Sequence, residues 1–269
     1  MNVKYILFCV GAFIFMSASP SLNQARLLLS SLRGGEYVHA GDREAVDMVL
    51  SKVLHIAPNL LEGRVLDVGC GFGKTAYDFY EAGFKKVWGI DIDVSAVHYA
   101  KKQFPFVHFL VQDALEIEGC FEPSFFSFIS MFNVFYVIPE KKELLEALCQ
   151  IAKPGAILVL FDYATQKGGD PLMDLAGKRI YPLELDKIQQ QLRDSGWDLL
   201  EVEDLSSQYV RWYEDLLTKL EEGQNELLFT FSTEDVEKVR SAFSAILSQI
   251  QRNKMGGAVI YAQKLQSSF

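Results

Sequence analysis

From residue 42 onward, short apolar runs alternate with amphipathic stretches, and this rhythm sets the first structural expectations. Between Asp42 and His55 apolar residues recur at helical spacing (Ala45, Val46, Val49, Leu50, Val53, Leu54), predicting a helix that lays one stripe on a main domain and ends by Pro58. Arg64 to Val68 reads as a short buried strand, delivering the chain into Gly69-Cys70-Gly71-Phe72-Gly73 and a helix from Lys74 to Ala82. Strands are expected at 86–90, 107–111 and 125–131 and helices at 95–103 and 141–151. The turn Lys153-Pro154-Gly155 then leads into a strongly apolar strand at 156–161. Strands alternating with helices imply a parallel sheet covered on both faces.

After Asp162 the rhythm breaks into a polar loop through Gly168-Gly169-Asp170, a helix near 183–195 and a strand at 197–202. A largely helical stretch from Ser206 to Asn253 precedes a last strand at 258–263. If the last two strands pair antiparallel, this insertion emerges at the end of the sheet, where it would act as a lid over a binding site. The expected fold is α/β, a doubly wound Rossmann-like sheet of seven strands, mostly parallel with an antiparallel last strand, plus a helical lid. The expected organisation is an apolar segment at 1–20, a helical cap at 21–60, a core at 61–205, the lid insertion at 206–257 and the last strand at 258–269.

Composition narrows the function. With 269 residues, 49% of them hydrophobic, the chain can bury one substantial core. A formal net charge of −9 gives no concentration of Lys and Arg of the kind that phosphate backbones require, so no nucleic-acid partner is expected. Cys9, Cys70, Cys120 and Cys149 show neither zinc spacing nor a disulfide framework, so no metal and a reducing, cytoplasmic compartment are expected. The start complicates that compartment. Lys4, an apolar run from Tyr5 to Met16 and Ser17-Ala18-Ser19-Pro20 follow the order of an export signal, in a run shorter than the roughly 20 residues that span a bilayer. Three readings stand open: a segment outside the functional chain with Met16 as the start, a short membrane-associating helix, or an export signal.

A glycine-rich turn between a first strand and a first helix lets backbone amides approach a ligand closely. A phosphate-binding loop ending in Gly73-Lys74-Thr75 would need glycine where Val68 stands. A dinucleotide site prefers G-x-G-x-x-G, whereas these glycines fall as G-x-G-x-G, and this leaves a nicotinamide-dependent oxidoreductase as an alternative. Asp91 ends the next strand at about the offset of a ribose-binding acid, and Asp113 follows the third. Taken singly, each acid reads most simply as a helix cap or turn residue.

The segment VLDVGCGFGKTA, with Asp91 and Asp113 in order behind it, resembles the class I S-adenosylmethionine-dependent methyltransferases. That resemblance spans about 64–163. It implies S-adenosylmethionine as cofactor, with Asp67, Gly69, Cys70, Gly71 and Gly73 around the methionine moiety, Asp91 at the ribose, Asp113 and Ala114 at the adenine, and Ile92 and Asn133 among the cofactor-binding residues. By residue type alone, Cys70 is most simply a small filler between the glycines.

Chain ends that face a cofactor follow strands, which points to 133–136 and to Asp162-Tyr163. Gly35 to Asp42, Asp162-Tyr163, Arg179-Ile180-Tyr181 and the late helical insertion resemble the small phosphoethanolamine methyltransferases and the sarcosine and dimethylglycine group. The resemblance implies that Tyr37, Tyr163, Arg179 and Tyr181 grip a small polar acceptor, an amine methylated on nitrogen. It departs at the catalytic pair: Tyr136 stands where that group has a histidine, and the segment carries no acid. Tyr136 and His39 are the candidate catalytic residues, His39 reading equally as a loop hydrogen-bonder. A non-catalytic S-adenosylmethionine-binding protein remains the other alternative.

Overall fold

The computed structural model describes residues 20–165, 172–173 and 179–266. The apolar start up to residue 19 and the polar loop at 168–170 lie outside the described residues. The chain begins with α1 (Pro20–Leu32) and α2 (Asp42–Ile56), then alternates β1 (Arg64–Val68), α3 (Lys74–Glu81), β2 (Lys86–Asp91), α4 (Val94–Gln103) and β3 (His108–Val111). It continues with β4 (Phe126–Phe132), α5 (Lys141–Ile151) and β5 (Ala152–Thr165). Three two-residue strands follow, β6 (Leu172–Met173), β7 (Arg179–Ile180) and β8 (Leu183–Glu184), and then α6 (Ile188–Asp194) and β9 (Trp197–Asp204). The insertion comprises α7 (Ser206–Glu222), α8 (Gln224–Leu227) and α9 (Thr233–Gln251), and β10 (Gly256–Lys264) closes the fold.

The main sheet runs in the order β3-β2-β1-β4-β5-β10-β9. Strands β1 to β5 are mutually parallel and β10 is antiparallel to both its neighbours. The expected seven-stranded order is present, and β8 adds an eighth by pairing with the end of β5. Strand β5 is longer than its apolar run predicts because β10 pairs with it from Ile157 to Ala164. Asp162 and Tyr163 therefore lie within the strand instead of after it. The helix expected at 183–195 is shorter at its start, since Leu183 is a buried strand residue facing Ala164. Within 206–253 the helix breaks near Gly223 and restarts where the Ser232 side chain accepts from the amide of Asp235.

Alternation along each strand divides the core in two. Val65, Phe128, Val159 and Phe161 join α1, α2, α3, α7 and α9 on one face, while Leu66, Val68, Ile129 and Leu160 join α5 and α6 on the other. Among the described residues, no helix is long and apolar enough to cross a membrane.

The insertion lies tightly on the sheet because β10 opens with two glycines. A Cβ on Gly257 would stand 2.1 Å from the ring of Tyr209, which is fully buried. Gly257→Ala is therefore expected to lower stability by about 1–3 kcal/mol through overpacking. Gly119→Ala, with nothing within 4 Å of the added atom, should be nearly neutral. Urea unfolding of the two variants measures the difference.

Candidate active site

Strand parity turns Asp67 toward the face that carries α2 and α3, in register between Gly89 of β2 and Ser130 of β4. Its side chain is sealed from solvent. The Ser130 hydroxyl donates to Oδ1 at 3.1 Å, and Oδ2 has no partner. Burial pushes the carboxyl up to about 8, with the Ser130 bond opposing and the charges of Asp91 and Asp78 adding, so the group is largely protonated at neutral pH.

Immediately beyond, Gly69 takes φ +72°, and a Cβ there would stand 2.3 Å from Val134, so neither the backbone nor the space admits a side chain. The amides of Gly69 and Cys70 donate to the carbonyl of Ile90, and that of Gly71 donates to Asp91 Oδ2 at 2.9 Å. Asp91 thus clamps the turn to the end of β2, while its Oδ1 accepts from the amide of Asp93 at 2.8 Å. Beside it Ile92, an apolar side chain at the sheet's carboxyl edge, is 69% exposed. Asp113 accepts from the amide of Leu115, and Ala114 is buried at the start of a short 3-10 helix. Cys70 is buried, and desolvation pushes its thiol up, an inert setting that fits a filler beneath the turn.

The loop joining α1 to α2 lies across this turn. The Tyr37 hydroxyl donates to Asp78, which also receives Lys74 and Arg43. His39 is buried with both ring nitrogens engaged: Nδ1 lies 2.9 Å from the carbonyl of Ala40 and Nε2 lies 2.9 Å from the hydroxyl of Thr75. A carbonyl only accepts, so Nδ1 carries the proton and Nε2 accepts from Thr75. Burial lowers the imidazole to about 4, which keeps it neutral. The space between this loop and the turn, lined by Glu36, Tyr37, His39, Asp67 and Cys70, is about 10 Å³.

A second constellation forms where β4 and β5 end. Asn133, at φ +50°, accepts from the amide of Ala40 and donates to the Tyr209 hydroxyl at 3.1 Å and to Asp162 at 3.4 Å. Fully buried Asp162 also accepts from the amides of Tyr136 and Tyr163. Burial raises its carboxyl and lowers the nearby Lys141, each drawn back by the other's charge. The Tyr136 ring meets Tyr163 edge-on at 5.1 Å, and the hydroxyls of Tyr163 and Tyr213 share a hydrogen bond. The amide of Tyr181 donates to the carbonyl of Tyr136, and the exposed Arg179 sits 5.3 Å over the Tyr181 ring.

Tyr136, Tyr163, Tyr181 and Arg179 are thus brought together. Tyr37 and His39 belong to the glycine-turn side, their polar atoms committed to α3 and the loop itself. Sequence reasoning missed Tyr209 and Tyr213, which the run Tyr209, Trp212, Tyr213, Leu216 presents as a buried helical stripe. It named Asp162 but did not place it as the acid beside Tyr136, because that contact is made from the neighbouring strand.

Comparison with known proteins bears on this architecture. A family model described as a methyltransferase domain matches residues 39–202, more than half of the chain. The chain belongs to the methyltransferase-domain family. Phosphoethanolamine N-methyltransferase 1 of Zea mays is 26% identical over 83% of this chain and 44% of its own length. The chain thus spans less than half of that relative. Among solved structures, the Haemonchus contortus phosphoethanolamine N-methyltransferase 2, in complex with phosphomonomethylethanolamine and S-adenosylhomocysteine, superposes with TM-score 0.78 and 20% identity over 91% of this chain and 58% of that one. A Galdieria sulphuraria protein described as a candidate sarcosine dimethylglycine methyltransferase gives TM-score 0.77 and 14% identity over 92% and 99%. These likenesses establish the class I methyltransferase fold, in accord with the resemblance of VLDVGCGFGKTA.

Within this methyltransferase domain, the raised Asp67 carboxyl makes stability depend on pH. Its unfolded value is 3.8 and its folded value about 8, so the folded state holds the proton more tightly. The stabilisation is complete below about pH 4 and is lost as pH rises toward about 8. Asp67→Asn is therefore expected to be more stable than wild type at pH 7.5 by on the order of 2–4 kcal/mol, and so to unfold at a higher temperature, with the gap closing at pH 4.5. Thermal unfolding at the two pH values checks this; an equal gap at both contradicts it.

Proposed function

We propose that this chain passes the methyl group of S-adenosylmethionine to the nitrogen of a small polar amine. The observation that carries the proposal is the unpartnered Oδ2 of Asp67 beside the glycine turn. A buried carboxyl with one oxygen unmatched is costly unless a ligand completes it, and an ammonium group does so by both charge and hydrogen bond. Asp67 would receive the amino group of the methionine moiety and the turn's backbone its carboxylate. Asp91 would take the ribose hydroxyls, Ile92 and Ala114 would flank the adenine, and Asp113 would meet its amino group. When bound, the cofactor supplies a methyl group already made electrophilic by a sulfonium.

The chain's own task is then to open, orient and exclude water. With about 10 Å³ between cap loop and turn, the loop at 36–41 must withdraw for the cofactor to enter. His39 fastens that loop through Thr75; neutral and with Nε2 occupied, it enters the proposal as a closing contact instead of a base. Asn133 ties the same loop to β4 and α7, linking closure to the acceptor side. There Tyr136, Tyr163 and Tyr181 offer ring faces to an ammonium, and Arg179 stands over Tyr181 at the entrance. Tyr136 is proposed to hold the amine so that its lone pair faces the methyl group, a positioning role that suits an in-line displacement. The names of the relatives, phosphoethanolamine N-methyltransferases, support an amine acceptor.

Release of S-adenosylhomocysteine by the full chain, screened over phosphoethanolamine, sarcosine, dimethylglycine and related amines, tests the proposal. At least one amine is expected to support turnover, with Tyr136→Phe lowering kcat by about tenfold or more. Cofactor binding without turnover on any amine would favour a non-catalytic binding protein.

A further inference from the structure

Tyr136 is carried on a 3-10 turn, Phe135–Val137, that has no side-chain cap of its own. So short a turn does not hold its orientation alone, and this one is fixed from outside. The amide of Tyr136 donates to Asp162 at 3.0 Å, and its carbonyl accepts from the amide of Tyr181 at 2.7 Å. The carbonyl of Phe135 accepts from the Ile138 amide at 3.2 Å and also from the ammonium of Lys141, which lies 3.8 Å from the centroid of the Phe135 ring.

The Phe135 carbonyl and the Tyr136 amide belong to one peptide unit, and in a trans peptide they point in opposite directions. A cation therefore sits at the negative end of that unit's dipole and a carboxylate at its positive end. Tilting this peptide would break both contacts at once. Lys141 occupies its place at two local costs. It is the first residue of α5, where the helix dipole disfavours a positive charge. It is also half-buried, and desolvation lowers its ammonium below the usual lysine range. Opposing that shift are the charges around it: Asp162 on β5, Glu184 on β8, itself paired with Lys187, and Glu140 just before the helix. A residue placed only for helix stability would avoid both costs, so the contact with the turn is what the position serves.

We infer that Lys141 is a positioning residue for methyl transfer: with Asp162 it clamps the Phe135–Tyr136 peptide and so aims the Tyr136 ring at the acceptor. This rests on the proposed function and adds a residue to it. Lys141 acts through Tyr136 in this account and takes no proton from the acceptor. The clamp needs both charges. As pH rises, the buried ammonium loses its proton before an exposed lysine would. The Asp162 carboxyl, already raised by burial, is then no longer drawn down by that charge, and both ends of the peptide are released. An arginine in place of Lys141 would keep its charge through the same range.

The test is release of S-adenosylhomocysteine by the full chain, with whichever of phosphoethanolamine, sarcosine or dimethylglycine wild type turns over fastest, from about pH 7 to about pH 10. Lys141→Met keeps the length of the side chain without its charge. It is expected to lower kcat by about tenfold or more, with S-adenosylhomocysteine affinity, read by calorimetry, changed by less than about twofold. Lys141→Arg should recover at least about a third of the wild-type kcat at about pH 7. The ratio of wild-type to Arg-variant kcat should fall as pH rises, a comparison in which titration of the acceptor cancels. If the Met variant fails to fold, the pH profile of the Arg variant decides alone. Three results each overturn this inference alone: kcat left intact in Lys141→Met, a loss matched by lost S-adenosylhomocysteine affinity, or a constant ratio between wild type and Lys141→Arg. A wild type that turns over none of the three amines overturns the proposed function and this inference together.

Discussion

A carboxyl group at the end of β1, shut away from water with one of its two oxygens bonded, is the constraint around which this molecule is arranged. Desolvation disfavours the charged form of Asp67 and no protein donor reaches Oδ2, so the carboxyl holds a proton it would otherwise lose. The glycine turn beside it exists because no side chain fits under Val134 and because the backbone must bend back to reach Asp91. Local stability is sacrificed where a ligand is to bind, as is common for groups that a partner completes.

A second level of organisation ties the two halves of the site together. Asn133 reaches the cap loop through Ala40, β5 through Asp162 and the insertion through Tyr209. Three segments distant in sequence thus meet on one amide side chain, which joins the cap loop to the tyrosine cluster by hydrogen bonds. Asp162 complements this by accepting the amides of Tyr136 and Tyr163, which sets both rings from the backbone side. The fold alone does not choose the acceptor; in the proposed reading that choice rests with the aromatic rings.

The sheet was legible because its strands are short, apolar and separated by helical periods, and because three glycines at alternate positions leave few chemistries open. The order of Asp67, Asp91 and Asp113 after successive strands could be read for the same reason, as each acid is adjacent to its own strand. What could not be read depends on distant partners. The full length of β5 is set by β10, about a hundred residues away, and the contact that occupies Nε2 of His39 comes from Thr75 on α3. Tyr209 and Tyr213 were hidden because an aromatic stripe at helical spacing carries the signature of an ordinary core. Lys141, a basic residue opening a helix, has no sequence signal that distinguishes a solvated charge from one held on the Phe135 carbonyl.

Calorimetric titration of S-adenosylmethionine at pH 7, repeated in two buffers of different ionisation enthalpy, addresses the central claim most directly. If Asp67 receives the cofactor's ammonium, one molecule should bind per chain and a proton should be released, so the observed heat should differ between buffers. Absence of saturable binding would contradict the account, and binding with the same heat in both buffers would show that Asp67 does not ionise to receive it.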